Sequence, residues 1–200
     1  MKRVFDLVVG LITLLFALIP MLLIALSIRT TSKGAVLYWS DRIGQVNKIF
    51  RMPKFRTMQV ETPVVATHLM ANPDKYLSSF GGFLRRSSLD ELPQLWSILK
   101  GDMSLIGPRP LLVKYLDLYT ENQSKRHLVR PGITGWAQVN GRNAIDWETK
   151  FLLDVFYVEN LNFKLDVVIL IKTVAKVFKS EGISSGSSKT MEAFKGNKIT

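Results

Sequence analysis

An uncharged apolar segment near the N-terminus constrains the fold of this chain more than any other feature. From Leu7 to Ile28 the residues are LVVGLITLLFALIPMLLIALSI, with no charged side chain among them. A helix of this length, at about 1.5 Å per residue, extends across roughly 30 Å of hydrocarbon. The segment is too long for the apolar part of an ordinary secretory signal, and RTTSKG follows it instead of a small-residue cleavage site. We therefore expect a membrane anchor that stays in the protein.

Two arrangements of this anchor are open on the residues alone. Pro20 removes one backbone hydrogen bond and crowds the preceding turn, so a bend is expected there. Cations flank both ends, with Lys2 and Arg3 before the segment and Arg29 and Lys33 after it, so the positive-inside rule favours neither orientation. A re-entrant hairpin with both ends on the cytoplasmic face fits these flanks, and so does a straight membrane-crossing helix that tolerates a proline.

The overall charge limits the class of partner. The 200 residues include 27 Lys and Arg against 16 Asp and Glu, which gives a formal net charge of +11. Such a chain favours polyanions, namely nucleic acid, anionic lipid head groups or phosphorylated small molecules, and charge alone does not choose among them. Cysteine is absent, which excludes disulfides, thiolate nucleophiles and Cys-based zinc sites.

The length allows one domain with appendages rather than two domains. We predict a membrane anchor over residues 1–33, a cytosolic core over 34–183 and a flexible C-terminal tail over 184–200. The tail begins with SSGSSK, which has the composition of a flexible linker.

Periodicity predicts an α+β core that is mainly helical. Alternating apolar and polar residues on both sides of Gly44 to Asn47 indicate a short β-hairpin. Helices are expected over four segments: Leu92–Leu99, Leu111–Lys125, Trp147–Glu159 and Asp166–Lys179. The last of these is basic and amphipathic, with one apolar face made of Val167, Ile171, Val174 and Phe178. That face either lies in the bilayer interface or packs on the core.

Two adjacent carboxylates, Asp90 and Glu91, precede Pro93 at a predicted helix start. If Asp90 is the N-cap, both lie at the positive end of the helix dipole, which favours their ionised forms. An ionised Asp can act as a nucleophile toward phosphorus, and an acidic neighbour together with a diphosphate offers Mg²⁺ the oxygen ligands it prefers. A capping box from Ser88 to Glu91, with a purely local function, accounts for the same residues.

Basic residues surround this acidic pair in the sequence. Arg85 lies upstream, and Arg109 lies between two prolines in GPRP, a stiff extended frame. Arg142 ends the glycine-rich stretch RPGITGWAQVNGR, where glycines would let the backbone approach a ligand closely. Arginine forks match phosphate oxygens, and phosphoryl transfer depends mainly on positioning and charge stabilisation. Neither a Walker loop nor a Rossmann fingerprint is present.

Three long motifs, SSLDELPQLWSILKGDMSLIGPRPLL, KFRTM and RPGITGWAQVNGRN, together with the apolar N-terminal segment, resemble the bacterial sugar transferase family. Within that family the chain is similar to the small monotopic polyprenyl-phosphate phosphoglycosyl transferases, and to the branch that uses UDP-linked N-acetylated amino sugars such as diacetylbacillosamine. The likeness extends over residues 1 to about 180. It implies one monotopic catalytic domain in which a re-entrant helix-break-helix hairpin, a short β-hairpin and interfacial amphipathic helices pack together.

The resemblance also implies a two-step reaction and the residues that perform it. The family's nucleophile corresponds to Asp90, which would attack the β-phosphate of a UDP-sugar and release UMP, and undecaprenyl phosphate would then accept the phospho-sugar. Glu91 corresponds to the Mg²⁺ ligand. Basic positions associated with substrate phosphates correspond to Lys54, Arg85, Arg109 and Arg142.

The resemblance further places Pro20 at the break of the re-entrant helix. One departure is visible, because small members often have Ser before that proline and this chain has Ile19. A Ser hydroxyl could satisfy a backbone group freed at the kink, so its loss affects the expected break angle and leaves the catalytic assignment unchanged.

A second class of function is a membrane-tethered, non-enzymatic module that binds anionic lipid or nucleic acid through its positive charge. No aromatic-basic RNA-binding motif or helix-turn-helix pattern is recognisable, so no nucleic-acid partner is expected. The resemblance implies a bacterial inner-membrane protein with its catalytic domain facing the cytoplasm. Its expected partners are a UDP-sugar, undecaprenyl phosphate and membrane lipids. The sequence does not decide whether the protein forms a homodimer.

Overall fold

The structure is a computed structural model that describes residues 1–60, 62, 73–78, 80–141, 144–179 and 193–196. The described part is mainly helical, with two small two-stranded sheets. Its helices and strands are, in chain order, α1 (Lys2–Thr31), β1 (Leu37–Ile43), β2 (Ile49–Phe55), α2 (Gly81–Ser87), α3 (Gln94–Lys100), β3 (Ser104–Ile106), α4 (Glu121–Ser124), β4 (Gly132–Thr134), α5 (Trp136–Asn140), α6 (Trp147–Glu159) and α7 (Phe163–Lys179). Within the described ranges, short 3₁₀ turns lie at Gln45–Asn47, Pro73–Tyr76, Leu89–Glu91, Val113–Leu118 and Lys125–His127.

The predicted β-hairpin is confirmed. Strands β1 and β2 pair antiparallel, with Leu37 opposite Phe55 and Ile43 opposite Ile49. Gly44 and Lys48 close the connecting turn, since the Gly44 N–H donates to the Lys48 carbonyl over 2.8 Å. The hairpin places Lys54 near the end of β2, where the strand crosses the short turn that precedes α3.

Two glycines of the RPGITGWAQVNG stretch, Gly132 and Gly135, bring backbone close against backbone. Strands β3 and β4 pair in parallel. A Cβ on Gly132 would lie 2.1 Å from the Gly107 nitrogen, and a Cβ on Gly135 would lie 2.1 Å from the Gly107 oxygen. At these two glycines the space a side chain would need is filled by the backbone of Gly107, and close approach to a ligand stays a prediction.

The predicted helices differ in how well they match the structure. Helix α6 has the predicted bounds, and the Asp146 side chain accepts a hydrogen bond from the Thr149 N–H at its start. The predicted helix over Leu111–Lys125 is wrong. A 3₁₀ turn, Val113–Leu118, occupies its first half, and Thr120 then starts the separate helix α4 through a reciprocal capping box with Gln123.

Helix α7 starts at Phe163, three residues before the predicted start, and two residues of its predicted apolar face, Ile171 and Val174, do not pack on the core. Ile171 is 64% exposed and Val174 is 54% exposed. The opposite face is the buried one, with Asp166 and Ile169 almost inaccessible. Of the two arrangements left open by the sequence, the structure excludes packing of Ile171 and Val174 against the core.

Helix α1 is one continuous helix that passes through Pro20. Helical backbone continues on both sides of Pro20, so the structure does not confirm a helix-break-helix hairpin. A stretch of α1 with mean hydropathy 2.9 is long and apolar enough to cross a membrane, and only 17% of it is buried. No other helix in the described ranges meets that criterion. A soluble protein would bury such a helix, so its exposed apolar surface fits a membrane environment.

Polar contacts fix both ends of α1 to the core. Near the N-terminus, the buried Asp6 carboxylate accepts hydrogen bonds from the Ser104 hydroxyl, at 2.8 Å, and from the Leu105 N–H, at 3.2 Å. After the C-terminus, the Arg56 guanidinium donates to the Ser32 carbonyl over 3.1 Å. Between these points α1 contributes Ala17, Ile24 and Ile28 to the hydrophobic core.

The structure describes four residues of the predicted C-terminal tail, 193–196, and the rest of residues 184–200 lies outside its scope. Phe194 is 6% exposed and belongs to a hydrophobic cluster with Leu111, Tyr115 and Phe151. Its ring contacts the Phe151 ring edge-on at 5.0 Å between centroids. Phe194 therefore packs on the core beside the loop that follows GPRP.

Candidate active site

Asp90 lies in a 3₁₀ turn, Leu89–Glu91, one turn before α3 begins. The prediction that Asp90 is the N-cap of that helix is wrong, because α3 starts at Gln94 and Pro93 is the residue before it. Ser88 enters the turn in the left-handed region, with φ of 56°. This backbone reversal turns the carboxylate of Asp90 inward, and the residue is only 8% exposed.

Glu91 is bound by two cations. The Lys54 ammonium lies 2.6 Å from its Oε1 atom. The Arg109 guanidinium donates hydrogen bonds to both carboxylate oxygens, from Nη1 to Oε2 over 3.2 Å and from Nη2 to Oε1. The alternative of a Ser88–Glu91 capping box is excluded, since Ser88 makes no side-chain cap and Glu91 faces the cations. The acidic pair therefore has more than a local helix function.

The two neighbouring carboxylates differ in their pKa values. Burial raises the pKa of Asp90 above its ordinary value, and the positive charge of Lys54 opposes that rise. Burial acts on Glu91 in the same sense, but the charges of Arg109 and Lys54 outweigh it and hold the pKa of Glu91 far below its ordinary value. Glu91 is thus a permanent anion paired with cations, whereas Asp90 is the carboxylate whose protonation responds to its surroundings.

Four separate elements bring the predicted site residues together. Lys54 comes from β2, Asp90 and Glu91 come from the 3₁₀ turn, and Arg109 comes from the GPRP loop after β3. Arg85 comes from α2, where its Nε donates to the Thr57 hydroxyl over 2.9 Å and its charge acts on Asp90. The remaining predicted phosphate-binding residue, Arg142, lies outside the described residues.

Sequence reasoning missed three charged residues that the fold brings to this region. Arg42 lies near the end of β1, where burial and, after it, the charge of Arg109 lower the pKa of Arg42. Arg126 and Asp154 form a buried ion pair directly behind Arg109. A signal for Asp154 was available, because a carboxylate flanked by apolar residues in FLLDVFYV is costly to bury unless it has a partner.

The carboxylates meet the chemical requirements of a Mg²⁺ site that substrate oxygens complete. Among the described residues, no group of three or more His, Cys, Asp or Glu side chains could hold a metal ion. Mg²⁺ needs only one or two carboxylates when phosphates and water fill its other positions. Glu91 accepts three hydrogen bonds and a carboxylate has about four lone-pair positions, so one position remains for a metal.

A cavity of about 840 Å³ lies elsewhere, between α4, α6 and the C-terminal residues 193–196. Its walls include Trp147, Phe151 and Phe194, and neither Asp90 nor Glu91 lines it. The acidic pair instead lies at a surface formed by the hairpin and the GPRP loop, where Arg109 is partly exposed.

The region combines a buried carboxylate, Asp90, with a cluster in which Glu91 pairs with Lys54 and Arg109. The sequence model of the family described as bacterial sugar transferase matches residues 1–180. The chain belongs to the bacterial sugar transferase family.

Several curated proteins are similar over most of this chain. The uncharacterized sugar transferase EpsL of Bacillus subtilis (strain 168) is 48% identical over 98% of this chain and 96% of its own length. The undecaprenyl-phosphate galactose phosphotransferase of Salmonella typhimurium is 36% identical over 91% of this chain, and the undecaprenyl-phosphate glucose phosphotransferase of Komagataeibacter xylinus is 38% identical over 88%. The chain spans only 41% and 35% of the lengths of these last two relatives.

Proposed function

We propose that the protein is a phosphoglycosyl transferase that moves a phospho-sugar from a UDP-linked N-acetylated amino sugar to undecaprenyl phosphate. The products are UMP and a polyprenyl diphosphosugar, the first lipid-linked intermediate of glycoconjugate synthesis. One observation carries the proposal: the buried Asp90 carboxylate lies beside Glu91, whose charge is balanced by Lys54 and Arg109. Phosphoryl transfer depends on a positioned nucleophile and on cations that stabilise charge at phosphorus.

In the first step an oxygen of the Asp90 carboxylate attacks the phosphorus that carries the sugar. An O–P bond forms, and the bond from this phosphorus to the bridging oxygen breaks, so that UMP leaves with that oxygen and its electron pair. Arg109 and Lys54, which both bind the Glu91 carboxylate, supply positive charge next to the reacting phosphoryl oxygens. Arg85 adds a third charge from α2. The result is an aspartyl-phosphosugar anhydride.

In the second step a phosphate oxygen of undecaprenyl phosphate attacks the same phosphorus. The bond to Asp90 breaks, the carboxylate is regenerated, and the diphosphate of the lipid-linked sugar is complete. Mg²⁺, bound through Glu91 and substrate phosphates, would neutralise diphosphate charge in this site. The charge of UMP and of the lipid phosphate explains why the site needs several cations within reach of one carboxylate.

The nature of the sugar is the most specific part of this proposal. The names of the relatives specify galactose, glucose and, for a protein of Aeromonas hydrophila that is 35% identical, N-acetylgalactosamine. We expect the protein, in detergent micelles with undecaprenyl phosphate and Mg²⁺, to release UMP fastest from UDP-N-acetylated amino sugars within a panel that includes UDP-glucose and UDP-galactose. Faster release from a non-acetylated sugar would refute the amino-sugar assignment and leave the reaction class intact.

The acid limb of the pH profile provides a test of the Asp90 assignment. Because burial raises the pKa of Asp90 and Lys54 opposes this rise, replacing Lys54 by Met removes the opposing charge. The carboxylate must be ionised to attack, so activity falls as pH decreases through its pKa. We expect Lys54→Met to lower the rate of UMP release about 10-fold and to move the acid limb to higher pH.

Arg51→Met is the matched control for this experiment, since Arg51 is on the same strand but stacks over the Trp39 ring at 5.4 Å. It should leave both the rate and the acid limb unchanged. An acid limb that moves to lower pH in Lys54→Met would contradict the assignment of that limb to Asp90.

The membrane arrangement is also part of the proposal. We infer that α1 enters and leaves the cytoplasmic leaflet without crossing the bilayer, with the core outside on the cytoplasmic side. Both ends of α1 bind the same folded body, through Asp6 at one end and Ser32 at the other. A crossing helix would have to release one of these ends to the opposite side. The exposed Ile171 and Val174 of α7 offer a further apolar surface to the interface.

Cysteine labelling tests this topology cleanly because the natural chain contains no cysteine. One variant carries a Cys before Met1 and another carries Lys33→Cys, at an exposed position after α1. A membrane-impermeant maleimide should label neither variant in intact cells and both after lysis. Labelling of the N-terminal Cys in intact cells would show that the helix crosses the membrane.

A non-enzymatic anionic-lipid or nucleic-acid module is the alternative function, and the same UMP assay distinguishes it. A binding module would release no UMP from any UDP-sugar, and its binding of polyanions would be insensitive to chelation of divalent cations. The acid–cation cluster argues against it, since a surface that only binds polyanions gains nothing from placing Asp90 and Glu91 among its cations.

A further inference from the structure

We propose that Arg126 and Asp154 are positioning residues that hold the GPRP loop so that Arg109 reaches Glu91 and the substrate phosphates. The inference rests on the proposed function, because it concerns the same site. Neither residue touches Asp90 or Glu91, so their effect on catalysis would act through Arg109.

The loop that carries Arg109 is fixed at successive backbone atoms. The Pro108 carbonyl accepts a hydrogen bond from the Gly132 N–H at 3.0 Å, which ties one side of the loop to β4. The Leu111 carbonyl accepts from the Ile43 N–H at 3.2 Å, which ties the other side to the β-hairpin. Between these points the Arg109 carbonyl accepts from the Arg126 Nη2 atom at 2.8 Å.

Arg126 is itself held from several directions. Its Nε and Nη2 atoms donate to the same oxygen of Asp154, at 3.1 and 2.8 Å. Its guanidinium lies over the rings of Phe151 and Tyr119, at 5.6 and 5.8 Å from their centroids. The side chains of Arg126 and Asp154 are only 1% and 2% exposed, which is rare for charged residues.

This arrangement forms a direct sequence of contacts from α6 to the acidic pair. Asp154 orients Arg126, Arg126 binds the backbone of Arg109, and the Arg109 side chain forks onto Glu91. Prolines on both sides fix the φ angles next to Arg109 but leave its carbonyl orientation to a partner. A shift of about 1 Å in a group that stabilises a transition state can cost roughly 100-fold in rate.

The test replaces the buried pair by apolar side chains of similar size, in the variant Arg126→Met with Asp154→Leu. Such replacements often preserve stability, whereas removing one partner leaves an unpaired buried charge. We expect the double variant to unfold near the parental temperature. Its kcat for UMP release should fall about 10- to 100-fold while KM for the UDP-sugar changes less, because a displaced Arg109 loses contacts with the transition state.

A matched control exists on the same two elements. Lys125 is next to Arg126 in the 3₁₀ turn, and Glu159 lies on α6, as Asp154 does. These two residues form an exposed ion pair at 2.7 Å that does not contact Arg109. Lys125→Met with Glu159→Leu should keep kcat within about twofold of the parental value, as expected for an exposed pair. If the buried double variant does not fold, Arg126→Lys is the substitute variant. It keeps a positive charge next to Asp154 but loses the guanidinium that also binds the Arg109 carbonyl, and it should lower kcat about 10-fold.

A double-mutant cycle separates positioning from general support of the fold. In an Arg109→Met background the buried double replacement should change kcat less than about twofold, because the residue through which it acts is gone. Parental kcat in the folded double variant, or full additivity with Arg109→Met, would overturn the inference. Parental protein that releases no UMP would instead refute the proposed function itself.

Discussion

Asp90→Asn is expected to lower UMP release from the UDP-sugar by at least about 10³-fold, because an amide cannot form the covalent bond to phosphorus. The substitution preserves the size of the side chain and removes one buried negative charge. Since burial disfavours the charged form of Asp90, the variant should fold at least as stably as the parental protein. Steady-state UMP release and a thermal unfolding curve, measured on the same preparation, check both parts.

Asp102→Asn is the control for this substitution. Asp102 follows α3 and pairs at 3.0 Å with Lys100, whose side chain is largely exposed. Its replacement should leave the rate of UMP release close to the parental value. Release of UMP by Asp90→Asn at the parental rate would exclude Asp90 as the nucleophile.

Glu91→Gln is the second substitution with a large expected effect. It leaves Lys54 and Arg109 facing a neutral amide, so two cations lose the anion that orders them. We expect the rate of UMP release to fall about 10²- to 10³-fold, as for other groups that stabilise transition-state charge. The Mg²⁺ concentration needed for half-maximal rate should rise at least about tenfold, because a metal-binding carboxylate is lost. Rate measurements across a Mg²⁺ titration separate these two effects.

Glu159→Gln serves as the control, since Glu159 forms an exposed ion pair with Lys125 away from the acidic pair. It should change neither the rate nor the Mg²⁺ dependence. If Glu91→Gln lowered the rate with an unchanged Mg²⁺ dependence, Glu91 would order the cations without binding metal. Unchanged rates together with an unchanged dependence would remove Glu91 from the site altogether.

Local sequence signals were sufficient to predict the elements whose boundaries are set locally. Helix α6 has the predicted bounds because Asp146 caps its first turn and its apolar residues repeat at helical spacing. The β-hairpin followed from alternation around Gly44 for the same reason. The helix predicted over Leu111–Lys125 does not form, because a 3₁₀ turn ends at Leu118 and Thr120 with Gln123 begins a new helix.

The direction in which the apolar face of α7 points was not predictable from its own sequence. The sequence of α7 shows an apolar stripe, but nothing in the stripe says whether protein or lipid covers it. In the structure Ile171 and Val174 are exposed, and Asp166 lies on the buried side because Tyr157 donates to it over 2.8 Å and Lys2 pairs with it. Such long-range polar contacts decide which face is inside, and local periodicity does not contain them.

The residues of the candidate site also differ in whether the sequence alone predicts them. The acidic pair and Arg109 could be found from their spacing and from motif resemblance, because they are close in sequence or lie in a distinctive frame. Arg126 and Asp154 are 28 residues apart and pair only after the 3₁₀ turn Lys125–His127 packs on α6. The apolar neighbours of Asp154 in the sequence indicate that a buried carboxylate needs a partner, but only the fold shows that the partner is Arg126.

The most direct test of the central claim is intact-protein mass spectrometry of the protein mixed with UDP-sugar and Mg²⁺ in the absence of undecaprenyl phosphate. If Asp90 is the nucleophile, about one UMP per protein is released in a burst, the protein mass increases by that of one phospho-sugar, and peptide mapping places the adduct on Asp90. Addition of undecaprenyl phosphate should then remove the adduct. UMP release that requires undecaprenyl phosphate from the start, with no adduct at any time, would contradict the two-step account and show that the lipid attacks the UDP-sugar directly.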